Sequence, residues 1–138
     1  WQAITGGKLN NNNPFLKEKG EESFYLQMDG RKVFNFATKT VPKSINNVLE
    51  KANITLDDIK YIVPHQANSR IVEGVAKKLN ISLDKFYLNL ESYGNTSAAS
   101  IPIALTEMTK NNLLKKGDKI IITGFGAGLT WASMLIQI

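Results

Sequence analysis

An α/β fold is predicted for this chain, with a mixed sheet of five strands, helices on both faces and a closing antiparallel hairpin. Three observations predict it. Apolar residues switch repeatedly between helical spacing and short runs of strand length. Capping or small residues stand where each helix should begin. The last two strand-like runs are separated only by a glycine-rich turn.

The elements follow in order. Gly6-Gly7 and the asparagines Asn10 to Asn13 before Pro14 are turn formers without apolar periodicity, so the first residues read as a loop. Ser23 to Met28 reads as a strand and Asp29-Gly30 as a turn. Phe34, Ala37, Val41, Ile45, Val48 and Ala52 recur three and four apart, which predicts a helix that Pro42 should kink or divide. Ile59 to Val63 is a second strand, and Asn68 can cap a helix running to about Leu79. Lys85 to Leu90 reads as a third strand, Ala98 to Asn112 as a helix with Pro102 in its early turns, and Lys119 to Thr123 as a fourth strand. After Gly124-Phe125-Gly126-Ala127-Gly128, Leu129 to Gln137 returns as the fifth.

With 138 residues and 43% apolar content, the chain fits one compact domain with a core. Its longest apolar runs, Ile120 to Ile122 and Met134 to Ile136, are far too short to cross a bilayer, and no signal-peptide layout opens the chain. A cytoplasmic location without membrane association is expected. There is no cysteine and one histidine, so no disulfide, thiolate metal site or protein-only zinc site is expected.

Seventeen basic and twelve acidic side chains give a net charge of +5. The basic residues are scattered among acids, as in Lys17-Glu18-Lys19 followed by Glu21 and Glu22, with no aromatic-interleaved strip. That pattern argues against nucleic acid and suits an acidic protein or a phosphate-bearing ligand better. Placing residues about every 100° around the helix after Asn68 puts Ile71, Val72, Val75, Ala76 and Leu79 on one face. Arg70 and Lys77 point the opposite way beside Lys78. An ordinary solvated face explains those cations, as does a docking patch for anionic groups.

Two motifs carry candidate chemistry, Pro64-His65-Gln66-Ala67-Asn68 and Gly94-Asn95-Thr96-Ser97-Ala98-Ala99-Ser100. A histidine at a strand end is commonly structural and an asparagine after glycine is commonly a turn residue. Both motifs, however, follow successive strands, so both side chains can emerge at the carboxyl edge of one sheet, where open α/β folds bind ligands. A neutral imidazole N–H and a side-chain amide N–H aimed at one oxygen form an oxyanion hole. The glycines Gly124, Gly126 and Gly128 are followed by no helix, and no P-loop lysine is present, so a nucleotide loop is excluded and a hairpin turn remains.

With these motifs, the chain from about Gly30 to Ile138 resembles the second half of the β-ketoacyl-acyl-carrier-protein synthase III family, within the thiolase-like condensing enzymes. The resemblance implies half of a thiolase-like fold. Residues 1–22 would be a loop or the remnant of a linker between halves, and residues 23–138 the C-terminal domain. It also implies a Cys-His-Asn triad in which His65 and Asn95 are catalytic and the cysteine belongs to an N-terminal half outside this sequence, so that this chain alone is inactive. In the family, an acyl group from acyl-CoA is condensed with malonyl-acyl-carrier protein. Coenzyme A thioesters and phosphopantetheine enter as substrates, and no separate cofactor is implied. Ala127 matches the backbone oxyanion donor, where glycine is usual, and Phe125 would line the reaction centre. Gly30, Phe34, Ala67, Asn68 and Arg70 match residues bordering the phosphopantetheine and coenzyme A path. Arg70, Lys77 and Lys78 match the carrier-protein patch, while Asn35 replaces a lysine often found there. Gln66 and Ser97 receive no role. Acyl carrier protein, acyl-CoA, the other half and a homodimeric twin are the implied partners.

One histidine and no cysteine disfavour elongating condensing enzymes, which use two histidines in this half, and thiolases, which use a second cysteine. Plant-type polyketide synthases typically carry proline at the position of Ala127 and lack Pro-His-Gln-Ala-Asn. A free-standing, noncatalytic module binding acyl carrier protein or coenzyme A is the competing reading. It would keep the basic helix but have no use for the His65–Asn95 pair.

Overall fold

The alternation of apolar residues in Tyr61-Ile62-Val63-Pro64 and Lys119-Ile120-Ile121-Ile122-Thr123 builds the centre of the molecule. In the computed structural model, which describes residues 3–5 and 27–138, these segments form parallel strands β3 (Tyr61–Pro64) and β4 (Lys119–Gly126). Their register pairs Ile62 with Ile121 and Val63 with Ile122. Strand β5 (Thr130–Gln137) returns antiparallel beside β4, completing a mixed sheet in the order β3-β4-β5. A separate two-stranded ladder joins β1 (Ile4–Thr5) and β2 (Gln27–Met28).

Because successive strand residues face opposite ways, Ile62 and Ile121 enter one core and Val63 and Ile120 the other. The first core is closed by α1 (Gly30–Ala52), through Ala37, Val41, Ile45 and Leu49, and by α2 (Ser69–Leu79), through Ile71, Val72, Val75 and Ala76. The second is closed by α4 (Ser100–Lys110), through Ala104 and Met108. A short helix, α3 (Leu90–Tyr93), precedes it. Helices therefore cover both faces, as the sequence predicts.

Three expectations change. Helix α1 runs unbroken through Pro42, whose ring is buried beside Val41. The missing proline N–H costs one intrahelical bond, but the apolar face continues on both sides of it and keeps the helix packed. Second, Lys85 to Leu90 is not a strand of the sheet. A 3₁₀ turn occupies Leu83–Lys85, and the segment meets β3 through one parallel bridge, Ile62 to Phe86, with Tyr87 N donating to Ile62 O at 2.9 Å, and through the edge contact of the Tyr87 and Tyr61 rings. The side chain of Gln66 takes over the pairing: its Nε2 donates to Tyr87 O at 3.1 Å and its Oε1 accepts from Asn89 N at 3.2 Å. Third, the sheet has three strands among the described residues, so the count of five is not reached. Of the strand expected at Ser23 to Met28, only Gln27–Met28 lies within the described residues, and the loop expected at Gly6 to Pro14 lies outside them.

The helix ends use one device repeatedly. Asn53, Asn80 and Asn112 adopt left-handed φ values of 53°, 54° and 54°, and the apolar residue after each, Ile54, Ile81 and Leu113, donates its N–H back into the last turn of the helix.

Candidate functional site

The site begins where β3 ends. His65 N donates to Thr123 O at 2.8 Å, so the parallel pairing with β4 fixes the histidine backbone one residue beyond the strand. Gln66, 2% exposed, turns inward and donates to Pro64 O at 3.0 Å as well as to Tyr87 O. Asn68 then caps α2, its Oδ1 accepting from Arg70 N at 2.9 Å.

The His65 ring is half-buried between elements. Its Nδ1 lies 2.7 Å from Ser100 Oγ at the start of α4, and its edge meets the Phe125 ring at 5.5 Å with the planes 73° apart. Nε2 has no hydrogen-bond partner among the described residues. Burial holds its pKa below the usual histidine value of 6.5, favouring the neutral imidazole. A narrow apolar recess under the ring is lined by Val41, Val72, Val75, Phe86 and Phe125. An open cleft of about 500 Å³ runs past Ile101, Gly124 and Phe125 along β5 to Met134.

Asn95 is exposed and held locally. Gly94 has φ 68° and ψ −163°, a conformation essentially restricted to glycine, and it turns the chain out of α3. Asn95 Oδ1 then accepts from Ser97 N at 2.9 Å, with Ser97 itself at φ 53°. That bond occupies the acceptor end of the amide, and Nδ2 has no protein partner among the described residues. Thr96 Oγ1, between them, is buried with no partner among the described residues.

The residues named from the sequence thus separate into groups. His65 and Phe125 are in contact, and the segment that opens with Asn95 reaches them through Ser100. Ala67, Asn68 and Arg70 continue from His65 into α2. Phe34, 38% exposed, projects from α1 beside α2, where a Cβ at Gly74 would lie 3.7 Å from its ring. Gly30 is the first residue of α1 rather than a free turn, because Asp29 caps that helix by accepting from Lys32 N at 3.0 Å. Lys77 and Lys78 are exposed in the last turn of α2, with Lys77 roughly 10 Å along the axis from Arg70. Among the described residues, none of these three cations forms an ion pair.

Ala127 occupies the exposed turn joining β4 to β5, where its carbonyl accepts from Thr130 Oγ1 at 3.1 Å. Its φ is not positive, so the side chain in place of glycine is accommodated without strain, and the left-handed position in this turn, φ 135°, belongs to Gly128. No hydrogen bond joins Ala127 to the His65 cluster.

Gln66 and Ser100 were not assignable from local sequence. Ser97 carried a usable signal, since Asn two residues before a backbone N–H is an Asx turn. Apart from Pro64 O, two residues before Gln66, the side-chain partners of Gln66 and Ser100 lie 21 to 35 residues away, and no spacing rule reaches that far.

Comparison with known proteins gives a consistent result. The model of the 3-oxoacyl-[acyl-carrier-protein (ACP)] synthase III C-terminal family matches residues 49–138. A β-ketoacyl-[acyl-carrier-protein] synthase III of Clostridium novyi is 58% identical over 139 residues, an alignment covering 96% of this chain and 43% of that protein. The structure superposes on 3-oxoacyl-[acyl-carrier-protein] synthase III of Aquifex aeolicus with a TM-score of 0.80 and 45% identity, covering 83% of this chain and 37% of that one. For the Thermus thermophilus synthase III the TM-score is 0.85 at 35% identity, covering 99% and 41%. The chain spans under half the length of the curated relatives it matches. By sequence and by fold, then, it belongs to the β-ketoacyl-acyl-carrier-protein synthase III family, matching that family's C-terminal part.

Proposed function

We propose that this chain is the C-terminal domain of an enzyme that starts fatty acid synthesis by decarboxylative Claisen condensation, joining an acyl-CoA primer, with acetyl the expected group, to malonyl-acyl-carrier protein. In this reading residues 23–138 are that domain, residues 1–22 hold the loop or linker remnant between halves together with strand β1, which pairs with β2, and the cysteine that carries the primer comes from outside these residues. One observation carries the reading of the site. His65 and Asn95 each have one polar atom engaged by the 95–100 segment, Nδ1 by Ser100 and Oδ1 by Ser97 N, while Nε2 and Nδ2 have no protein partner among the described residues.

Loss of carbon dioxide from the malonyl thioester leaves its electron pair on the α-carbon, delocalised onto the thioester oxygen. His65 Nε2–H and Asn95 Nδ2–H donate to that oxygen as its charge develops. The α-carbon then attacks the acyl-cysteine carbonyl. Ala127 N–H supports the second oxyanion, the carbon–sulfur bond breaks, and the thiolate leaves. A neutral His65, favoured by burial, keeps one ring nitrogen basic and the other a donor.

The phosphopantetheine arm or coenzyme A would reach the centre past Gly30, Phe34, Ala67, Asn68 and Arg70. Arg70, Lys77 and Lys78 give α2 an exposed cationic face suited to an acidic carrier protein. A cytoplasmic homodimer of the complete subunit is part of the same proposal. The free-standing binding module is disfavoured, since family membership places the chain among condensing enzymes.

The test is turnover of acetyl-CoA with malonyl-acyl-carrier protein by the full-length parent and by its His65→Ala variant. Condensation that collapses in the variant supports the reading. A folded parent that forms no β-ketoacyl product overturns it.

A further inference from the structure

We infer that Ser100 is a positioning residue for His65: its hydroxyl donates to Nδ1 and so holds the imidazole in the tautomer that carries its proton on Nε2. The inference rests on His65 acting as an oxyanion donor and names the group that makes it one.

A serine hydroxyl has one hydrogen to give and two lone pairs to receive. Gln66 N donates to Ser100 Oγ at 3.3 Å, and His65 Nδ1 stands 2.7 Å from the same oxygen. Ser100 is 2% exposed, so water does not serve as a third partner for a mobile hydroxyl. If Nδ1 carried the proton, Oγ would receive two donors and its own hydrogen would have no acceptor among the described residues. A buried donor left in that state is unfavourable. With the hydroxyl donating to Nδ1, the Gln66 N–H, the Ser100 O–H and the Nδ1 lone pair are all satisfied at once. The proton of a neutral ring then resides on Nε2, the nitrogen with no protein partner among the described residues.

Two features make Ser100 a firm support. Its own N–H is engaged with Ser97 O, so the backbone there is set by the turn entering α4. Helix α4 is anchored by Ala104 and Met108, both 0% exposed. Phe125 limits the ring on another side through the edge contact at 5.5 Å. The hydroxyl therefore sets which nitrogen donates, while packing sets the direction of the ring.

The tautomer can be read directly by nitrogen NMR. The full-length parent, labelled with ¹⁵N-histidine, is recorded as wild type and as Ser100→Ala and Ser100→Thr, with the His65 signal assigned by its disappearance in His65→Gln. The expected wild-type pattern is a protonated Nε2 and an unprotonated Nδ1. In Ser100→Ala the Nδ1 signal moves toward the protonated range and condensation kcat falls roughly ten- to hundredfold, short of the roughly hundred- to thousandfold loss expected when the donor itself is removed. The KM for acyl-CoA and acyl transfer to the cysteine stay near wild type. Ser100→Thr, which retains the hydroxyl, keeps the wild-type nitrogen pattern.

A wild-type ring protonated on Nδ1 overturns the inference, and that reading needs no variant to fold. A wild-type pattern and kcat in Ser100→Ala overturn it too. Undiminished condensation in His65→Ala would instead remove the oxyanion role of His65, while a tautomer shift in Ser100→Ala would still stand as evidence for what Ser100 does to the ring.

Discussion

His65 follows strand β3 and Asn95 follows helix α3, and the two residues are held in opposite ways. Asn95 is exposed, and its posture depends on neighbours one and two residues away, the Gly94 turn and the Ser97 N–H. His65 is half-buried, and its posture depends on Thr123, Phe125 and Ser100, the last 35 residues distant. The first arrangement survives on local geometry. The second exists only once β3, β4 and α4 have packed.

The largest expected effects break the chemistry at both places. In the full-length parent, His65→Ala and Asn95→Ala should each lower condensation by roughly a hundred- to a thousandfold, about 3–4 kcal/mol of barrier, measured as malonyl-dependent product formation. Asn95→Asp sharpens the comparison. It keeps the acceptor for Ser97 N and so keeps the turn, but it replaces the amide donor with a carboxylate. Loss equal to that of Asn95→Ala, with an unchanged unfolding midpoint, would separate the donor from the turn. Activity retained in Asn95→Asp would sink the donor role.

Next in size is a stability effect on the buried side. Gln66→Ala removes three hydrogen bonds and leaves Tyr87 O, Pro64 O and Asn89 N without their partner inside the fold. A destabilisation of about 2–4 kcal/mol is expected from urea unfolding of the parent protein. Ser97→Gly on the exposed side should change stability little, because glycine accepts the φ of 53° and the bond to Asn95 uses the backbone N–H. Equal losses for the two variants would mean that the distinction between local and long-range support is wrong.

The same distinction explains what was legible in the sequence. Helix α2 was, because its cap, its apolar face and its cations are all encoded within a dozen residues. So was the β4–β5 hairpin, since a glycine turn lies between two apolar strands. The segment from Lys85 to Leu90 was misread because its composition suits a strand, while a side chain from another element, Gln66, supplies the partners that a ladder would have given. Pro42 does not divide α1 for a related reason: a local penalty is outweighed by helix packing against α2, β4 and β5. The asparagines after α1, α2 and α4, each followed by Ile or Leu, were a readable stop signal that composition alone obscured. The roles of Ser100 and Gln66 had no local signature.

A pH effect should follow at the buried residue and not at the exposed one. Burial lowers the folded-state pKa of His65 below 6.5, so between the two values the unfolded chain binds more protons. Stability from this group is therefore complete above about pH 6.5 and is lost as pH falls through that value toward the folded pKa. Comparing urea midpoints of wild type and His65→Gln across that window should show a shallower slope in the variant. Identical slopes would mean that the ring is not desolvated.

The smallest effect is expected on the surface of α2. Lys77 and Lys78 are exposed and form no ion pair among the described residues, so replacing both by glutamine should leave folding and the kcat for condensation near wild type. If they meet an acidic carrier protein, kcat/KM for malonyl-acyl-carrier protein should fall about two- to fivefold, mainly through the association rate, and the difference should shrink as salt is raised. Activity toward acetyl-CoA in the acyl-transfer step serves as the internal control. An equal fall for both substrates at every ionic strength would remove the carrier-protein patch and leave an ordinary solvated helix face, with Arg70, nearest His65 in sequence, as the cation still to be tested.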